Sequence, residues 1–434
     1  MNWTIKTGWE RLESGPPEER ACFAAVGILA HNTWLTEGRD AIANRLRQEP
    51  LLSAYHLAEW LAWNWWRLRW EPRSRASDWE FAHRLSSIGG GYIWPNITIF
   101  SDGERTALIA KPTVDQPQTP FRYIADAAAI IPATEFESEL DRFVEAVIER
   151  LDSERVEDTN LHTIWNSLSN ERRTPEEAKK KKLEALLGRD PETADPQTMS
   201  QLLGDISELS KSAIEEIAAE VGQGGVVLSA TDIHSIANRS GFDGSPRDVV
   251  KLDAPVPLPD RGQVPAWRVG TEMARSLRVQ LHLDSDPISD SELAKMGGVQ
   301  RDVFEKKTVG PNISFVLDER FDRNKVVLRS KWKTGRRFEL ARLIGDRLAG
   351  RGVAKLFPAT RAYTYRQKMQ RSFAAEFLSP FEAVDDMLAG DYSMENQLDV
   401  AEHFEVSPLT IRTLLVNHGR LEREDLYEEF ELAA

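Results

Sequence analysis

Residues 51–70 read Leu-Leu-Ser-Ala-Tyr-His-Leu-Ala-Glu-Trp-Leu-Ala-Trp-Asn-Trp-Trp-Arg-Leu-Arg-Trp, a run without glycine or proline that ends at Glu71-Pro72. At helical spacing Leu57, Leu61, Trp65 and Leu68 make one stripe, and Trp63, Trp66 and Trp70 make a second. A helix apolar on two faces has to be covered on both, so whatever surrounds this segment must supply two apolar walls. Downstream, Ile97–Phe100 alternates, Ser101-Asp102-Gly103-Glu104 is turn-forming, and Thr106–Ala110 is apolar again, which predicts a β-hairpin. Residues 1–130 therefore read as a small Trp-rich α+β domain that binds another protein or docks onto the rest of the chain. Gly89-Gly90-Gly91 reads as a turn between helix and strand.

Residues 131–239 read as a helical region. Phe136–Leu151, Lys179–Leu187 and Met199–Val221 carry helical periodicity. Thr174-Pro175-Glu176-Glu177 is a helix start, and Gly188 with Pro191 stops that helix. The basic run Lys179–Lys182 lies among Glu176, Glu177 and Glu184, the pattern of a solvated face. Residues 240–266 hold Gly241, Gly244, Pro246, Pro255, Pro257, Pro259 and Gly262, a density that suggests a linker or extended strap. From Ala266 onward the chain alternates helices with two strand-like runs, Ile313–Leu317 and Lys325–Leu328.

The formal charge of −14 argues against general nucleic-acid binding, which needs a basic surface. The terminal segment Phe404–Leu415 resembles a helix-turn-helix, but only Arg412 and Asn417 could read bases from its second helix, so packing is the better reading. A single cysteine, Cys22, excludes an intrachain disulfide and a cysteine-based zinc site, and fits a reducing cytoplasm. No basic start followed by an apolar core precedes the first domain, and no apolar run is long enough for a membrane helix, so neither a signal peptide nor a membrane partner is expected. His403 and His418 have no companions at ligand spacing and read as packed or exposed residues.

The segment Arg337-Phe338-Glu339-Leu340-Ala341-Arg342-Leu343-Ile344-Gly345-Asp346 resembles the active helix of ImmA/IrrE-type zinc metallopeptidases, which runs approximately Arg-Phe-x-Leu-Ala-His-Glu-x-Gly-His. Three further pieces resemble the family in order and spacing, over residues 265–420. They are Pro287-Ile288 with Leu293-Ala294 and Gly297-Gly298-Val299; Phe373-Ala374-Ala375-Glu376-Phe377-Leu378-Ser379-Pro380; and Val400-Ala401-Glu402-His403-Phe404-Glu405-Val406-Ser407. The frame is kept and the chemistry is not. Arg342 and Asp346 stand at the histidine positions, Leu343 stands at the general base, and residues 365–371 lack the acidic ligand that the family carries before the Phe-Ala-Ala run.

The resemblance implies a zincin-like C-terminal domain with a small sheet over residues 267–434. The overall fold class is then helix-rich α+β. It also implies a pseudopeptidase: no catalytic residue, no zinc or other cofactor, and an old cleft lined by Arg337 and Glu376. Arg342 and Asp346, four residues apart on one helix, would pair across the former metal position. The function implied is that of a non-catalytic regulatory or interaction protein with a protein partner, in a bacterial stress-response, toxin–antitoxin or phage-defence module. The alternatives are a peptidase with an atypical metal site and a DNA-binding regulator. Nothing in the sequence fixes the oligomeric state.

Overall fold

The computed structural model describes residues 3–113, 119–254, 260–305, 312–319, 322–350 and 354–422. The fold is helix-rich α+β, with small antiparallel sheets set among helices. Among the described residues no helix is long and apolar enough to cross a membrane.

The N-terminal part opens with β1 (Trp3–Trp9), α1 (Pro17–Cys22), β2 (Phe23–Ala30), β3 (Thr33–Trp34), β4 (Gly38–Asp40), β5 (Arg45–Arg47) and β6 (Leu51–Ser53). β2 pairs with β1, β3 and β6, and Ile5 sits opposite Ile28. The Trp-rich run is thus not one helix. Its first residues are the edge strand β6, and Ser53 then caps α2 (Ala54–Trp63) by accepting the His56 N–H. Asn64 interrupts the helix by donating its side-chain amide to the Trp60 carbonyl at 2.9 Å, a local bond that competes with helix propagation. α3 (Trp65–Trp70) follows. The first stripe is buried as its spacing requires, but the second is not continuous: Trp63 is 51% exposed, and Trp70 lies under the cations of Arg69 and Lys182. After α4 (Trp79–His83) come the expected hairpin, β7 (Ile97–Ser101) and β8 (Arg105–Ala110), then β9 (Phe121–Tyr123) and β10 (Ala127–Pro132). β10 completes the hairpin sheet, and β9 pairs with β4.

This first core does not close at residue 130. It continues through α5 (Ala133–Ser153), α6 (Asn160–Arg173) and α7 (Pro175–Leu186), where Phe136, Phe143, Val147, Trp165 and Ala185 belong to the same apolar cluster as Trp3 and Ile5. The lysine run on α7 is likewise not a solvated face. Lys181 is buried and ion-paired with Glu171, Glu184 and Glu192, and Lys182 pairs with Glu215 at 2.8 Å. Sequence periodicity could not show that both sides of α7 are covered.

The second half is built on one sheet. α8 (Pro196–Leu209), α9 (Lys211–Val221) and α10 (Ala230–Ser240) precede β11 (Phe242–Gly244), α11 (Ala266–Gln280) and α12 (Asp290–Met296). Then come β12 (Ser314–Asp318), β13 (Asn324–Val327), α13 (Lys333–Ala349), β14 (Leu356–Ala359), α14 (Tyr365–Leu378), α15 (Phe381–Leu388), α16 (Met394–His403) and α17 (Pro408–Asn417). The sheet order is β11-β13-β12-β14. Alternation along β12 sends Phe315 and Leu317 toward the α8–α10 layer and Val316 toward the α11–α14 layer, so helices cover both faces. The start of the Gly/Pro-rich strap is part of this sheet as β11, and Ser245 and Val250 donate to the Gly298 and Met296 carbonyls. Pro255, Pro257 and Pro259 lie outside the described residues.

α11 and α14 cross closely at Gly270, where a Cβ would run into the Met369 carbonyl oxygen and lie 2.7 Å from the Phe373 nitrogen. Gly270→Ala therefore has to push two backbones apart. It should destabilise the fold by about 1–3 kcal/mol, read from the denaturant midpoint; an unchanged midpoint would show that the crossing is looser than the structure has it.

Candidate functional site

Helix α13 carries charge on a surface that has almost no water. Arg336, Arg337, Glu339, Arg342 and Asp346 are all buried, together with Leu340, Leu343 and Ile344. The segments that resembled one family in sequence meet on this helix. Arg337 donates to Asp290 Oδ1 at 2.5 Å and to the Ile288 carbonyl at 2.6 Å, and it pairs with Glu405 Oε2 at 3.1 Å. Gly297 lies against Leu340, and a Cβ on Gly345 would stand 2.5 Å from the Phe373 ring.

The expected Arg342–Asp346 pair does not form. Asp346 is held by Arg366 of α14, which donates Nε to Oδ1 at 2.7 Å and Nη2 to Oδ2 at 2.6 Å. Arg342 turns instead toward the start of α14. Its Nη2 donates to the Thr360 carbonyl at 2.7 Å, to Gln367 Oε1 at 2.6 Å and to Gln370 Oε1 at 3.3 Å. The physical reason is geometric. A carboxylate is better satisfied by the planar fork of a guanidinium approaching from a facing helix than by one leaning along its own helix. Leu343 is buried in the second apolar core. Arg337 and Glu376 do not line an open cleft: Arg337 is sealed in the contacts above, and Glu376 accepts from Arg275 Nε at 2.7 Å and from the Phe381 N–H at 3.3 Å. His418 lies apart, stacked on Phe381 at 3.7 Å with its pKa pushed down by burial.

Sequence reasoning missed half of the cluster. Gln367, Gln370 and Arg371 share one face of α14 and close over Arg342, with both glutamine amides donating to the Pro358 carbonyl. Their spacing was a visible signal, since polar residues at i, i+3 and i+4 on an otherwise apolar helix face mark a buried network. Glu216 and Glu220 reach the same place from α9, and nothing in the local sequence pointed there. Glu220 accepts from Arg361 Nε at 2.6 Å, and Glu216 accepts the Thr364 hydroxyl at 2.8 Å.

Burial pushes the Glu216 carboxyl above its ordinary range, only partly opposed by Arg366 and the Thr364 hydroxyl. Burial and the neighbouring Arg371 pull Arg342 down to about 9, so it remains a cation at neutral pH. Burial also works against the Arg366 charge, but Asp346 outweighs it and raises the Arg366 pKa.

These residues do not fit a divalent metal. Arg342 has no lone pair to give, Leu343 has no donor, and the Asp346 carboxylate is already gripped by an arginine. Among the described residues no group of three or more histidine, cysteine, aspartate or glutamate side chains could hold a metal ion. No family model, no curated protein and no solved structure matches this chain.

Two outcomes follow from the pairing. Arg366→Ala leaves a buried aspartate unpaired and should cost about 3 kcal/mol. In a double-mutant cycle it should couple with Asp346→Ala, whereas Arg342→Ala and Asp346→Ala should be close to additive; strong coupling of Arg342 to Asp346 would restore the pair that the structure lacks. The raised Glu216 carboxyl means that the unfolded chain gives up this proton first as pH rises above the ordinary value of 4.5. Its contribution to stability is present below that pH and is lost as pH rises through the folded value. Glu216→Gln should therefore flatten the fall in melting temperature from acid toward neutral pH, and an unaltered pH profile would remove Glu216 as its source.

Proposed function

We propose that this chain is a non-catalytic regulatory or interaction protein whose C-terminal part is a degenerate ImmA/IrrE-like peptidase domain. What supports the reading is the convergence on α13. Segments that resemble one family from separate stretches of sequence touch the same helix, through Arg337 on Ile288, Asp290 and Glu405, and through Gly345 on Phe373. At the place where such an enzyme would carry metal ligands, this helix carries Arg342, which donates to the Gln367 and Gln370 amide oxygens of α14, and Asp346, which is held by Arg366 of α14. The region that should supply an acidic ligand supplies Gln367 and Gln370, which accept from Arg342. Cation, amides and salt bridge replace what would be metal, acid and water. Such a site keeps a shape and has no means of activating a nucleophile.

A protein partner is the function that remains for a recognition fold without chemistry, and a bacterial stress-response, toxin–antitoxin or phage-defence setting rests on the family resemblance alone. DNA binding gains nothing from the C-terminus, where α17 buries Ile411, Leu414 and Leu415 in the second core. Elemental analysis of purified protein should find no stoichiometric zinc, and co-expressed host proteins should show no chelator-sensitive cleavage. Tightly bound zinc at one ion per chain, or cleavage abolished by chelation, would overturn the proposal in favour of a peptidase with an atypical metal site.

A further inference from the structure

The chamber between α13 and α14 holds more positive charge than its carboxylates neutralise. Three of its arginines are matched: Arg366 by Asp346, Arg361 by Glu220, and Arg329 by Glu339 at 3.5 Å. Two are not. Arg342 donates only to the Thr360 carbonyl and to the amide oxygens of Gln367 and Gln370, and its Nε is buried without an acceptor. Arg371 donates only to carbonyls, Nη1 to Thr360 at 3.4 Å and Nη2 to Ala362 at 2.7 Å. The two guanidinium groups therefore converge on one neutral oxygen, that of Thr360. Like charges brought together away from water repel, and after burial the Arg371 charge is what most depresses the Arg342 pKa. The carboxylates that face them are committed elsewhere. Glu339 serves the Ser330 N–H and Arg329, Glu220 serves Arg361, and Glu216 serves the Thr364 hydroxyl while burial favours its neutral form.

We propose that Arg342 and Arg371 form the floor of a binding site for a tetrahedral, doubly charged oxyanion of the phosphate class. Two guanidinium forks with no carboxylate bonded to either supply both the charge and several N–H donors that a phosphate group accepts from, as arginine clusters do elsewhere. Of the two arginines Arg371 is the half-buried one, so the anion would approach from its side. Tyr363, 40% exposed, rests its ring 5.3 Å from the Arg371 guanidinium, and the Arg329 side chain is 33% exposed. The ring offers a flat apolar surface beside the anion position, so the phosphate group is either free or carried by a small planar metabolite such as a nucleoside monophosphate. This goes beyond the pseudopeptidase reading and does not depend on it, because it rests on the charges and not on the family.

The test is calorimetric titration and thermal melting of the full chain with inorganic phosphate, against sodium chloride at matched ionic strength. Phosphate should bind saturably and raise the melting temperature, and chloride should not. Arg371→Gln should weaken phosphate binding at least tenfold with an unchanged circular dichroism spectrum. If that variant does not fold, the wild-type chain gives the answer alone: phosphate should protect Arg371 from modification by phenylglyoxal, read by peptide mass spectrometry. Adenosine monophosphate binding more tightly than phosphate, with the advantage lost in Tyr363→Ala, assigns the group to a nucleotide; equal binding assigns it to the free ion. A response no different from chloride, undiminished binding by Arg371→Gln, or Arg371 modified at the same rate with and without phosphate overturns the proposal.

Discussion

A helix buried on nearly every side must find a partner for each charge it carries, because an uncompensated ion out of water costs several kcal/mol. Helix α13 is in that position, and much of the second half of the molecule is arranged to meet its demands. Arg337 draws in the segment before α12 and the turn after α16; Glu339 holds the chain just past β13 through the Ser330 N–H; Asp346 fixes the register of α14 through Arg366. Arg342 is the exception, bonded only to the Thr360 carbonyl and to amide oxygens, and it is where the fold departs from neutrality. Leu340 and Gly345 of the same helix do ordinary packing, against Gly297 and Phe373.

The covered sheet explains how distant parts of the chain reach this chamber. α9 lies on the face of the sheet that Phe315 and Leu317 present, and from there two of its glutamates, Glu216 and Glu220, extend to the loop between β14 and α14. The α8–α10 layer is thus both the lid of an apolar core and a wall of the polar cluster. Its other side meets α7, where Lys182 bridges Glu215 and the Trp70 ring. Apolar burial positions the elements; the ion pairs select which register they adopt.

The hairpin, the helices over Phe136–Leu151 and α11, and the capped helix beginning at Ser289 were legible because each is specified by its own residues: alternation, period and a capping box within a few positions. The two-sided burial of α13 was not, since the spacing of Arg336, Arg337 and Arg342 along the helix does not tell which facing elements cover them. The Arg342–Asp346 expectation failed for the same reason: spacing along one helix cannot reveal a better guanidinium on a neighbour. Asn64 shows the complementary case. Its polar side chain inside the Trp-rich run was a written signal of a break, outweighed by the length of the apolar run around it.

The tip of the β7–β8 hairpin reaches the chamber from the other half of the chain. Asp102 gives its carbonyl to the Tyr365 N–H and its carboxylate to Lys368 at 3.0 Å, so one residue of the N-terminal part braces the opening turn of α14. That turn presents Gln367 to Arg342. The two halves are consequently not interchangeable modules. A recombination event in the strap that replaced the front of the molecule would leave α14 without its brace and Lys368 without its counter-charge, even with every residue after Ala266 intact. Inheritance has to keep the hairpin tip and the arginine chamber as a single unit.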